Sequence, residues 1–137
     1  MLEDDLKRYG IKTHPCHVLC ETKTGHAPRF VARHTHRHPL PARSLIVLNK
    51  DTLVVTPELL FLELAASRDI DDIELLRIGF ELCGTYVLDV SEDSWDGYTG
   101  TDAPITSAKK ISAFLERCSG MNGSKRARRL ARLIADG

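Results

Sequence analysis

The spacing of apolar residues changes near residue 57, and the change separates a strand-rich first part of the chain from a helical second part. Ser44-Leu45-Ile46-Val47-Leu48 and Thr52-Leu53-Val54-Val55 are aliphatic and β-branched runs bounded by Asn49-Lys50-Asp51, a pattern that predicts a tight β-hairpin. Thr56 then caps a helix whose first position is Pro57, where a missing backbone N–H costs nothing. Within residues 59–66 only Glu63 is polar, and a helix apolar nearly all round belongs inside a core. The hairpin and its helix are therefore the expected centre of the fold, with Leu59, Leu62 and Ala66 the most buried positions of the helix.

The same reading extends in both directions. Residues 14–21 and 29–34 predict strands, separated by a turn-rich stretch containing Gly25, and His38-Pro39-Leu40-Pro41 predicts an extended loop. After residue 70, Ile73, Leu75, Leu76, Ile78, Leu82 and Cys83 mark the inner side of a second helix, and Glu74, Arg77 and Glu81 an outward stripe. Gly84 is its expected C′ residue, and Tyr86-Val87-Leu88 predicts a short strand. Pro104-Ile105-Thr106-Ser107 opens a third helix that buries Ala108, Ile111, Phe114, Leu115 and Cys118. Ser124 is expected to cap a fourth, with Ala127, Leu130, Ala131 and Ile134 inward. The expectation is a single α+β domain over residues 1–137. It has a small antiparallel sheet in a β-rich part, 14–55, and packed helices near 57–67, 71–83, 107–118 and 124–135.

Composition adds limits. At 137 residues and 42% hydrophobic, the chain can bury one modest core. It has no apolar run of membrane-spanning length, and Met1-Leu2-Glu3-Asp4-Asp5 is acidic where a secretory signal is basic and then apolar, so a soluble, cytoplasmic protein without membrane association is expected. Cys16, Cys20, Cys83 and Cys118 are too few and too scattered for a disulfide framework, and reduced thiols are expected.

Net charge is zero, but the charges are segregated. Residues 1–50 hold nine Lys/Arg against four Asp/Glu, and residues 51–102 hold two against thirteen. Residues 103–119 hold three against one, and residues 120–137 five against one. Basic ends around an acidic middle suit a polyanion-facing surface, or two patches that attract each other across an interface; a plain solvated surface gives the same totals.

Catalytic chemistry finds little support. As strand residues, Cys16 and Cys20 lie about 13 Å apart at roughly 3.3 Å per residue, too far to share one zinc ion. His34, His36 and His38 alternate as two imidazoles on one strand face can, but a third ligand would have to come from His14, His17 or a carboxylate, so no metal site is expected. The carboxylates of residues 89–101 lack a lysine to complete a nuclease set and fit no calcium loop. With no Gly-rich phosphate loop, G-x-S-x-G elbow or H-E-x-x-H helix either, no catalytic residue, no cofactor and no enzyme activity are expected.

Binding is better supported. Lys125, Arg128, Arg129 and Arg132 fall at i, i+3, i+4 and i+7, one basic stripe on the fourth helix, with Arg126 beside it. Such a stripe reaches successive phosphates of duplex DNA but holds nothing suited to reading bases, so weak and non-specific binding is expected. The polar stretch with Glu92, Asp93, Trp95 and Asp96 is the candidate surface for a basic protein partner, such as a toxin or a nucleic-acid enzyme.

Several of these segments together resemble the non-catalytic region of actinobacterial proteins related to abortive-infection (AbiEi-type) antitoxins. The residues that carry the resemblance are Val54-Val55-Thr56-Pro57-Glu58 entering a helix that ends Glu63-Leu64-Ala65, and Gly79-Phe80-Glu81-Leu82-Cys83-Gly84-Thr85-Tyr86. Pro104-Ile105-Thr106-Ser107 with Phe114-Leu115, and Arg126-Ala127-Arg128-Arg129 running to Asp136-Gly137, complete it. It covers roughly residues 40–137, and its motifs form a core. Many such proteins continue into a very-short-patch-repair-like endonuclease domain whose acids lie downstream, and the antitoxins' winged-helix DNA-binding domain lies upstream. The resemblance implies a non-catalytic module of a bacterial or phage conflict system, DNA-associated or regulatory. The other reading it leaves open is a protein-interaction module or inhibitor that binds a basic partner through the acidic middle.

Overall fold

The computed structural model describes residues 15–22, 24–50, 52–88 and 98–135. Strands and helices make an α+β fold, with four helices among the described residues. The contacts group the chain into two compact units, residues 1–39 and 40–137.

In the first unit, β1 (Cys16–Leu19) and β2 (Val31–His34) pair in parallel, Cys16 opposite Val31 and Leu19 opposite His34. The expected antiparallel arrangement does not hold for this pair. Apolar alternation along a strand is the same in both directions, so only the connection decides, and eleven residues suffice to bring the chain back to the same end. Arg33 pins that connection, donating from Nη1 to Thr24 O (2.8 Å) and from Nη2 to Gly25 O (2.7 Å).

In the second unit, β3 (Leu45–Asn49) and β4 (Thr52–Val55) form the expected antiparallel hairpin, with Leu45 opposite Val55 and Val47 opposite Leu53. The strands do not merge into one sheet: β1–β2, β3–β4 and a later antiparallel pair, β5 (Tyr86–Leu88) with β6 (Tyr98–Gly100), are separate two-stranded pairs. Thr56 then caps α1 (Pro57–Ala66), its hydroxyl accepting from Leu59 N with Pro57 in the first turn, as the sequence predicts.

The core of this unit lies around α1. Leu59, Phe61, Leu62 and Ala65 are buried and Ala66 is half-buried, so the inward face runs one residue earlier than expected at its C-terminal end. α2 (Asp72–Cys83), capped by Asp71 accepting from Glu74 N (2.8 Å), covers one side with Leu75, Gly79, Leu82 and Cys83. Ile73 was expected inward but is 80% exposed, because at 3.6 residues per turn it lies nearly opposite the buried Leu75, Gly79 and Leu82. Gly79 is needed for close packing: a Cβ there would stand 2.3 Å from Ile134 Cδ1. Gly84 closes α2 with extended backbone instead of the left-handed C′ geometry.

α3 (Ala108–Glu116) begins at Ser107, whose hydroxyl accepts from Lys110 N (3.2 Å), and buries Ile111, Phe114 and Leu115. Thr106, just before it, donates its hydroxyl to Glu58 and its backbone N–H to Leu82 O, so the loop is tied to both α1 and α2. α4 (Ser124–Ala131) is shorter than expected and ends in a turn; it buries Ala127, Leu130 and Ala131, and Ile134, the fourth residue assigned to its inner face, is buried beyond its end.

Candidate nucleic-acid interface

The basic residues of α4 are placed by how its N-terminus is seated. Ser124 does not cap the helix as expected. Its cap is Gly123, in the left-handed region at φ 79° with no side-chain hydrogen bond, and Ser124 is buried. A side chain at 123 would also collide with the end of α1, since a Cβ there would lie 2.6 Å from Ala66 N. Only glycine meets both conditions.

This seating brings Arg126 against the end of α1, where the last carbonyls have no partner within their own helix. Arg126 Nη1 donates to Ala65 O (3.2 Å) and Ser67 O (3.1 Å), Nη2 to Ile70 O (2.5 Å), and Nε to Asp72 Oδ1 (2.7 Å). Its five N–H donors are committed almost entirely to the α1–α2 connection. Asp72 also accepts from Arg129 Nη2 (2.7 Å). These two guanidiniums, Arg129 foremost, hold the Asp72 carboxyl below the usual carboxylate range. Arg129 is largely exposed but half neutralised.

Lys125, Arg128 and Arg132 are left. Lys125 is exposed, and Arg128 is half-buried with Nε directed at Ser124 O (3.4 Å). Arg132 is exposed just past the last turn of α4. At i, i+3 and i+7 they keep one face, and none has an acidic partner among the described residues. Arg128 and Arg132 border a cleft of about 90 Å³ whose opposite wall is Ser112, Leu115 and Glu116 of α3. Lys109, Lys110 and Arg117 of the same helix region are exposed as well, Arg117 lying 5.3 Å from the Phe114 ring centre. The cleft was not legible in the sequence, because only packing sets α3 beside α4. Cys118 lies beneath this surface, donating to Phe114 O (3.3 Å). Burial pushes its thiol pKa up, while the nearby charges of Arg117 and Arg128 oppose that shift.

Several described acids of the middle segment are held internally. Arg77 bridges Glu74 (Nε to Oε2, 2.9 Å) and Glu81 on the outer stripe of α2, which lowers the Glu74 pKa and raises that of Arg77. Glu92, Asp93, Trp95 and Asp96, the candidate partner-binding residues, lie outside the described residues.

Of the histidines weighed as ligands, His17 and His34 are brought together, their rings stacked at 4.9 Å and His17 Nδ1 2.9 Å from His34 Nε2. Cys16 and Cys20 carry free, half-buried thiols; Cys83 and Cys118 are free and buried. No group of three or more His, Cys, Asp or Glu is placed to hold a metal ion among the described residues. Among them, too, no helix is long and apolar enough to cross a membrane. Comparison of the chain with protein-family models, with characterised proteins and with solved structures gives no match.

Proposed function

We propose that the chain is a non-catalytic, DNA-associated module of a bacterial or phage conflict system, of the antitoxin-like kind that residues 40–137 resemble. The observation that carries the DNA reading is the face formed by Lys125, Arg128 and Arg132, three cations in helical register without an acidic partner among the described residues. Three such groups bind successive phosphates and release their counterions, and nothing beside them is shaped to read base edges. The described acids weaken the other reading, capture of a basic protein, because Asp72, Glu74 and Glu81 are each engaged by an arginine of the same chain.

Salt titration of duplex binding tests the proposal. With three phosphate contacts the affinity falls roughly fortyfold between about 50 and 200 mM salt, a slope of about −0.9 per contact. Arg128→Glu with Arg132→Glu should abolish most of that slope, and Arg126→Gln should leave it in place. Duplex retention at low salt that is indifferent to the double reversal would reject the DNA reading.

A further inference from the structure

We infer that Asp72 restrains duplex binding: its carboxylate holds Arg129 off the phosphate-facing side of α4, and Arg129 is a fourth cation of that face held in reserve. The inference rests on the DNA reading above and names the residue that sets its strength.

Helical register alone would put Arg129 on the outward face. At 3.6 residues per turn it projects about 40° round α4 from Lys125 and about 60° from Arg132, on the side toward Arg126. Its guanidinium is drawn instead to the start of α2, where Nη2 donates to Asp72 Oδ2 (2.7 Å).

The two arginines on Asp72 are held very differently. Arg126 uses Nε on Oδ1 and its other nitrogens on the carbonyls of Ala65, Ser67 and Ile70, and its side chain is 23% exposed. Arg129 has the single bond to Oδ2, and its side chain is 61% exposed. An exposed ion pair of this kind is weak enough for a phosphate to compete with. Because the two arginines take different oxygens, Arg129 can leave while Arg126 stays on Oδ1.

The carboxylate does not lose its charge when Arg129 leaves. It lies in the first turn of α2, where the helix dipole favours an anion, and it keeps Arg126. A phosphate that reaches for Arg129 therefore has to displace a standing ion pair and also bring its own negative charge up to that of Asp72. Both terms oppose the fourth contact, and neither touches Lys125, Arg128 or Arg132.

Fluorescence anisotropy of a labelled duplex of arbitrary sequence, titrated with the full chain at several salt concentrations, tests the restraint. Asparagine at 72 leaves an amide oxygen for Arg126 and removes the charge that holds Arg129. Asp72→Asn should steepen the salt slope by about 0.9, raising affinity roughly tenfold at about 50 mM salt and roughly threefold at about 200 mM. In an Arg129→Gln background the same substitution should leave the slope as it is, because no cation is released. An equal gain in that background would show that only net charge matters, and would overturn the inference. Equal slopes for the parent and Asp72→Asn would overturn it too, while leaving the DNA reading in place. If neither chain binds with a salt-dependent slope, the reading and the inference fall together.

Discussion

The β3–β4 hairpin and α1 are joined by a single residue and are nearly equal in apolar character, yet they end in opposite environments. Leu59, Phe61 and Leu62 have no exposed surface, while Leu45, Ile46, Val47 and Leu53 remain open on the hairpin. α1 buries its apolar surface because α2, α3 and α4 all pack on it. Among the described residues of its own unit the hairpin finds no comparable cover. An apolar run thus records that a surface is to be covered and leaves open what covers it.

The largest effect that sharpens this contrast comes from shortening one side chain in each region. Leu62→Ala should cost about 2 to 5 kcal/mol, because it removes a fully buried side chain and leaves a cavity. Val47→Ala, at an exposed position, should change stability by no more than about 0.5 kcal/mol. Urea denaturation of both variants checks the pair, and equal losses would show that the hairpin is as much part of the core as α1.

A smaller contrast separates the arginines of α4. Arg126→Ala leaves the carbonyls of Ala65, Ser67 and Ile70 without that donor and should destabilise by about 1 to 3 kcal/mol. Arg132→Ala, at an exposed position, should leave the denaturation midpoint within error and reduce the salt slope of duplex binding by about one unit. If the two substitutions exchange these effects, the division between a structural and a binding arginine is wrong.

The smallest effect is a pH dependence. Arg129 and Arg126 lower the folded-state pKa of Asp72, so its contribution to stability is complete above the unfolded-state carboxylate value and is lost as pH falls through the folded one. The stability difference between the parent and Asp72→Asn should therefore be flat from about pH 5 to 8 and shrink below about pH 4. Comparing the two proteins cancels the contribution of Glu74, which Arg77 lowers in the same way. A difference that grows as pH falls would show that the carboxylate is not held in its ionised form.

Much of the helical unit was legible along the chain because its signals are local. Thr56-Pro57 marks the start of α1, the 3.6-residue spacing of Ile111, Phe114, Leu115 and Cys118 marks the inner face of α3, and Glu74, Arg77 and Glu81 mark the outer face of α2. The basic face of α4 was legible only in part. Helical spacing puts Lys125, Arg128, Arg129 and Arg132 together, but no local pattern shows that Asp72 occupies Arg129 or that Arg126 closes the end of α1 from sixty residues away.

By itself the sequence determined most strands and helices and most of each helix's apolar face, since propensity, capping and periodicity act within a few residues; β6 (Tyr98–Gly100), inside a stretch read as a polar loop, needed its partner strand to form. Tertiary structure decided everything that depends on what lies across a gap in the chain. It made β1 and β2 parallel, left Ile73 and the hairpin exposed, and required glycine at 123 beside the Ala66 backbone. It also divided five similar basic residues into one that caps a neighbouring helix, one that holds an aspartate, and three that face outward. Their roles differ because a cation is attracted to the nearest unpaired oxygen, and only the fold brings that oxygen within reach.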